Sequence, residues 1–200
     1  MSTMKIARSE LILGGQKSGK SRRAELLARQ WMEQSGSHRA VLIATAQAWD
    51  DEMRQRIARH QSDRAQRVPG MTTVEEPLAL AEAIRVHSHP DTLVVVDCLT
   101  LWLTNLLMPA EPSNSAIYAS NRPESSMDSA GAASLLIAIE NATGPVVMVG
   151  NEIGLGVIPM GREVRAFVDT LGRLNQDVAA SCQRVTLMAA GLPLTLKDTQ

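Results

Sequence analysis

An α/β domain with a mostly parallel sheet is the fold class that the sequence predicts, and three observations predict it. Short apolar runs such as residues 40–45 (AVLIAT), 92–96 (TLVVV) and 146–149 (VVMV) read as strands covered on both faces. Between them lie segments with apolar residues at helical spacing, as in Ala24, Leu27, Ala28 and Trp31. Residues 14–21 (GGQKSGKS) fit the spacing G-x-x-x-x-G-K-[ST] directly after the apolar Leu11, Ile12 and Leu13. Strand, glycine turn and helix N-terminus are the parts of a P-loop, whose amides and positive helix end face a phosphate chain. The expectation is therefore a three-layer P-loop NTPase of RecA-like type, with ligands at the C-terminal ends of the strands.

The elements follow in order. The first helix is expected to end near Ser35-Gly36, and residues 40–45 form the second strand. Asp50, Asp51 and Glu52 open the next helix, where the helix dipole favours acids, and Met53 and Ile57 share a face with His60 one turn on. Residues 64–70 read as a loop, 71–74 as a short strand, and Pro77 as the start of a helix through Leu78, Leu80, Ala81 and Ile84. Residues 92–96 are a buried strand ending at Asp97, and 99–108 an apolar helix. Residues 109–129 change to Pro, Ser, Asn and Ala, with Tyr118 the one aromatic, and read as a long excursion. Leu135 to Ile139 belong to another helix, stopped by Thr143-Gly144-Pro145. After the strand 146–149 and the loop GNEIGLG, residues 164–178 return to helical spacing. The chain closes on 185–188 and 192–196, a C-terminal hairpin.

Two hundred residues suit a single catalytic domain, 1–200. Twenty basic against 21 acidic residues leave no field for nucleic acid, and the few scattered aromatics make no stacking platform. No run is long and apolar enough for a membrane span or a signal h-region, so a soluble, cytoplasmic protein is expected. Cys98 and Cys182 lack metal-ligand spacing and read as buried thiols.

The chemistry-bearing residues gather at one sheet edge. Lys20 would neutralise the β- and γ-phosphates, and the Ser21 hydroxyl would ligate Mg²⁺. Asp97, at a strand end, has the place of a Walker-B carboxylate on the metal or, in the plainer reading, caps the next helix. His60 is either a histidine packed on the apolar helix face or, beside Arg56, Arg59, Arg64 and Arg67, a nucleophile for a phosphorus held by those arginines. The arginines themselves fit equally a solvated face paired with Asp51, Glu52 and Asp63. Asn151 and Glu152 follow a strand at the same edge, to orient substrate or metal or simply to form a loop. Arg162, Arg165 and Arg173 could supply charge to a transition state, with no spacing that singles one out.

Six segments together resemble the bifunctional adenosylcobinamide kinase/adenosylcobinamide-phosphate guanylyltransferases of cobalamin biosynthesis: LILGGQKSGKS, IATAQAWDDEMRQRIARHQSDR, TTVEEP, VVVDCLTLWLTNLL, GNEIGLGVIP and LGRLNQDVAASCQRVTLMAAGLPLTLK. They run in family order from residue 11 to 197. The resemblance implies two reactions using GTP and ATP with Mg²⁺. A hydroxyl of adenosylcobinamide is phosphorylated; then a histidine takes GMP from GTP, expels pyrophosphate, and passes the GMP to adenosylcobinamide phosphate, giving adenosylcobinamide-GDP. His60 matches that histidine by its place in DDEM-x-x-RI-x-x-H. By the same matching, Gly15, Gln16, Lys17, Ser18, Gly19, Lys20, Ser21 and Arg22 would bind triphosphate. Ala46, Gln47 and Ala48 with Gln61, Ser62, Asp63 and Arg64 would surround the nucleotide, and Glu75 and Asp97 would complete the site.

The resemblance also implies a homo-oligomer, often a trimer. Three positions depart from the family pattern: Lys17 for an arginine, Met71 for a tryptophan, and Met160-Gly161 where an acidic/Asn pair is expected. Two other readings stay open on the residues: a P-loop small-molecule kinase in which His60 is structural, and a nucleotide-gated regulatory protein.

Overall fold

The computed structural model describes residues 5–48, 50–108 and 124–199. Seven strands form one sheet in the order β3-β2-β4-β5-β1-β6-β7. They are β1 (Ser9–Gly14), β2 (Arg39–Ala44), β3 (Thr72–Glu75), β4 (Thr92–Asp97), β5 (Val146–Val149), β6 (Arg184–Ala189) and β7 (Leu192–Asp198). The first six pair in parallel and only β7 runs antiparallel, closing the expected hairpin with β6. Helices α1 (Lys20–Gln34), α2 (Asp51–Arg67), α3 (Leu80–His87), α4 (Leu99–Leu107), α5 (Glu124–Glu140) and α6 (Arg162–Ser181) connect them.

The uninterrupted apolar runs are explained by two cores, one on each face. Leu11, Leu13, Val94, Val96, Val146 and Met148 point to the side packed by α3, α4, α5 and α6. Their alternates Ile12, Leu93, Val95, Val147 and Val149 point to the side packed by α1. Period-two alternation thus divides each strand between two layers, and each fully buried aliphatic side chain contributes about 1.5–3 kcal/mol.

Three boundaries differ from the sequence expectation. Residues 64–67 are not loop but the last turn of α2, where Arg67 pairs with Asp63 at 3.0 Å and with Glu25 of α1 at 2.8 Å. Pro77 does not open α3: the Glu76 carboxylate accepts from the amides of Leu78 and Ala79, forming a turn that delays the helix to Leu80. α5 begins at Glu124, inside the expected 109–129 excursion, and the rest of that excursion, with Tyr118, lies outside the described residues.

Candidate nucleotide and phosphoryl-transfer site

Strand β1 lies between β5 and β6, so the loop that follows it rises from the middle of the sheet. Behind the loop, buried Glu10 accepts from Arg23 of α1 at 3.2 Å and from the Thr186 hydroxyl of β6 at 2.8 Å, tying the strand to both neighbours. Gly14 has φ +151°, and a Cβ there would lie 2.5 Å from the Met188 carbonyl oxygen. Lys17 and Gly19 have φ values of 58° and 100°, and the Gly191 amide holds the Ser18 carbonyl at 3.0 Å. This backbone wraps the loop around the N-terminus of α1.

Within the loop, Lys20 is 8% exposed and its ammonium donates to the Gly15 carbonyl at 2.6 Å. The Ser18 hydroxyl is buried with no hydrogen-bond partner among the described residues, an orphan that a phosphate oxygen would satisfy. Gly15, Gln16, Lys17 and Arg22 are exposed, while Gly19 and Ser21 are half-buried at the mouth.

Asp97 ends β4 with a half-buried carboxylate that receives no hydrogen bond from a described residue. β5 separates β4 from β1, so at a strand spacing of about 4.8 Å Asp97 stands roughly 10 Å across from the loop's strand. A free carboxylate and the Ser21 hydroxyl at one edge are hard oxygen donors of the kind Mg²⁺ takes. Glu75 is different: β3 lies four strands from β1, about 19 Å away, and its carboxylate meets Gln61 of α2 at 3.4 Å. Ala46, Gln47 and Ala48 follow β2 between these two ends. The site residues therefore form a strip along the strand ends, with a phosphate end at β1 and an outer end at β2, β3 and α2.

His60 is exposed on α2, so the packed-core alternative does not hold. Its place relative to the P-loop follows from the helices. Arg67 meets Glu25, and because α1 and α2 each connect parallel strands, α2 runs beside α1 in the same direction. A rise of about 1.5 Å per residue puts His60 about 10 Å before Arg67, and Lys20 about 7 Å before Glu25. The imidazole and the P-loop lysine thus both lie on the N-terminal side of the Arg67–Glu25 contact.

The basic cluster divides. Arg67 is neutralised by Glu25 and Asp63, and its guanidinium pKa is held above the ordinary value, first by the hydrogen bond to Glu25. Arg54 takes Asp51 and Arg59 is exposed, so the solvated-face reading holds for Arg59, for Arg67 with Asp63, and for Asp51. Arg64, one turn after His60, is 8% exposed and makes no hydrogen bond or ion pair with a described residue. Its carbon stem is packed while its nitrogens reach solvent, so the guanidinium is open to an incoming anion. Gln61 and Ser62 are exposed beside it, and Asp63 is half-buried.

Three positioning residues carry no sequence signal beyond being polar inside apolar helices. Asn105, 4% exposed, donates from its amide to the carbonyls of Thr45 at 2.8 Å and Pro77 at 3.1 Å, clamping the loops that follow β2 and β3. Thr100 accepts from the Asn151 amide at 2.9 Å, and Asn175 donates to the Asn151 carbonyl at 3.0 Å. The arginines Arg162, Arg165 and Arg173 are exposed on α6, and Arg165 is turned to the carbonyls of Pro159 and Met160.

A family model described as cobinamide kinase / cobinamide phosphate guanyltransferase matches residues 10–196. The chain is 46% identical over 189 residues to the bifunctional adenosylcobalamin biosynthesis protein CobP of Pseudomonas aeruginosa, covering 94% of this chain and 96% of that one. It is 34% identical over 187 residues to the bifunctional adenosylcobalamin biosynthesis protein CobU of Escherichia coli, covering 94% and 98%. Among solved structures it resembles an ATPase domain, with a TM-score of 0.53, 12% identity, and 98% of this chain and 79% of that one covered. The flagellar accessory protein FlaH from Methanocaldococcus jannaschii gives a TM-score of 0.51 at 10% identity, covering 98% and 80%. Both structural likenesses concern the fold alone.

Proposed function

The chain belongs to the cobinamide kinase / cobinamide phosphate guanyltransferase family, and on that premise we propose that one strip of strand ends serves both of its reactions, with His60 carrying GMP between them. The enzyme phosphorylates cobinamide and transfers a guanylyl group to cobinamide phosphate, using nucleoside triphosphates. In our reading a single domain carries both activities. GTP lies along the strand ends, with its triphosphate on the loop 15–22 and its guanosine toward Ala46–Ala48, Gln61, Ser62 and Glu75.

The observation that carries this reading is the spacing of His60 and Arg64 one helical turn apart, an exposed imidazole near a guanidinium that has no acid partner among the described residues. Arg64 holds phosphate oxygens while the neutral ring attacks the α-phosphorus, forming the N–P bond as the bond to pyrophosphate breaks. Lys20 and the P-loop amides stabilise the departing charge. Ser21 and Asp97 would hold Mg²⁺, which supplies further charge neutralisation on the phosphates. The phosphoramidate then gives its GMP to the phosphate of the corrinoid acceptor, and the ring is restored.

Location and assembly belong to the same proposal. A cytoplasmic setting fits two buried free thiols. A homo-oligomer, for which a trimer is our expectation, is supported by exposed Leu192, Leu194 and Leu196 on the edge strand β7.

The test is incubation with α-labelled GTP. Wild type is expected to gain acid-labile, base-stable label, and His60→Ala to gain none while still phosphorylating cobinamide. A wild type that turns over GTP without becoming labelled refutes the relay.

A further inference from the structure

The chain beyond β5 stays hydrogen-bonded to β1 until it reaches the P-loop. The Gly150 amide donates to the Ile12 carbonyl at 3.0 Å, and the Glu152 amide donates to the Gly14 carbonyl at 3.1 Å. The residue between them, Asn151, is fixed on both sides of its backbone, by the Thr100 hydroxyl and by the Asn175 amide. Anchors on α4, α6 and β1 therefore set the position of Glu152 relative to the phosphate loop. Its carboxylate is half-buried; one oxygen accepts from the Gly154 amide at 3.2 Å, and the other receives no hydrogen bond from a described residue.

We propose that this free oxygen of Glu152 takes the proton of the acceptor hydroxyl in the kinase step. The inference rests on the kinase half of the function above. Four carboxylates stand at or just beyond strand ends along this edge; Glu76 is engaged by the amides of Leu78 and Ala79, and topology gives the other three different places. Glu75 is about 19 Å from β1, and Asp97 is the partner for a metal ion, whereas Glu152 follows β5, between the strand bearing the P-loop and the strand ending in Asp97. A γ-phosphate held by Lys20 would lie beside the strand-end loop that carries this carboxylate, whose backbone is bonded to Gly14.

The same loop offers the acceptor a place to lie. Leu155, Val157, Ile158 and Met160 follow Glu152 with their side chains largely in solvent, Val157 at 96% exposure. An apolar rim directly after the carboxylate suits a bulky, partly apolar alcohol, and the glycines at 154 and 156 let the rim pass close by.

In the step, the hydroxyl oxygen forms a bond to the γ-phosphorus and its proton passes to Glu152. The bond from the γ-phosphorus to the bridging oxygen breaks, and the nucleoside diphosphate leaves with that electron pair, its charge met by Lys20. The carboxylic acid then releases the proton to water. Asn175 and Thr100 are positioning residues for this carboxylate.

Glu152→Gln tests the assignment, since the amide oxygen can still accept from Gly154. Kinase kcat with cobinamide and ATP or GTP is expected to fall about 100-fold or more. The KM for nucleotide, and guanylyl transfer to preformed cobinamide phosphate, are expected to stay within about twofold, the split that separates a chemical role from a binding one. A kinase kcat within about threefold of wild type overturns the proposal. Equal loss of both activities in a folded variant overturns it too, because that is the mark of a structural role. A wild type never labelled at His60 would remove the guanylyl relay alone and leave this comparison intact.

Discussion

Arg67 on α2 donates to the buried carboxylate of Glu25 on α1 at 2.8 Å, and this pair ties the helix that carries His60 to the helix that opens at the P-loop. The Glu25 side chain is 4% exposed, so removing Arg67 strands a carboxylate in the interior. Arg67→Ala is expected to lower stability by about 1–3 kcal/mol, read from the denaturant midpoint. It should slow GMP labelling of His60 more than it slows phosphorylation, because α2 carries the histidine that only the former uses. Equal effects on both rates would deny the pair its positioning role.

Gly14 admits no side chain. A Cβ would press on the Met188 carbonyl at 2.5 Å and on the Ser18 hydroxyl at 2.6 Å, from a backbone that L-residues rarely adopt. Gly14→Ala should cost about 1–3 kcal/mol and weaken nucleotide binding, measured by calorimetry on the folded variant. Gly15, with open space around its Cβ position, should tolerate Ala in stability terms.

Asn105 satisfies two carbonyls with one amide group. Asn105→Leu keeps the volume but leaves both oxygens unpaired, at a cost of about 1–3 kcal/mol. Since one of those carbonyls belongs to Thr45, directly before Ala46, the affinity for GTP should fall together with the thermal midpoint. A destabilised variant with unchanged GTP affinity would disconnect Asn105 from the nucleotide loop.

The thiols give a pH signature. Burial pushes Cys98 up from 9.0 to about 11, with Asp97 adding to the shift, and burial pushes Cys182 to about 12. Below the unfolded value near 9 both states keep the proton, so these groups contribute no pH dependence there. Above it the unfolded chain loses protons that the folded chain retains, and stability falls as pH rises from about 9 toward 11 and 12. Denaturation at stepped alkaline pH should show this slope, and Cys98→Ala should flatten part of it. Neither thiol should react with an alkylating reagent at pH 7–8 until the protein unfolds.

What is legible in the sequence is what is contiguous in it. The P-loop and the buried strands are local patterns, and the fold bears both out, as it does the closing hairpin. The last turn of α2 is not legible, because Arg64, Ala65, Gln66 and Arg67 carry no apolar signal and the turn is completed by Glu25, far away along the chain. Pro77 misplaces the start of α3 because a side chain, Glu76, supplies the competing turn. Asn105, Thr100 and Asn175 look like ordinary helix residues, since the carbonyls and amides that give them meaning arrive from other strands' loops. Family resemblance gathers the residues around His60, whereas the burial of Arg64 and the lateral distance of Glu75 need a fold.

β1 is flanked by β5 and β6, which come from the last third of the chain. A growing polypeptide leaving the ribosome therefore exposes its glycine turn long before it has the walls that shape it, and those walls arrive only with residues 146–189. Competence to hold a triphosphate should switch on late and all at once during synthesis. A chain stopped short of Arg184 would release a phosphate motif that is complete in letters and empty in affinity.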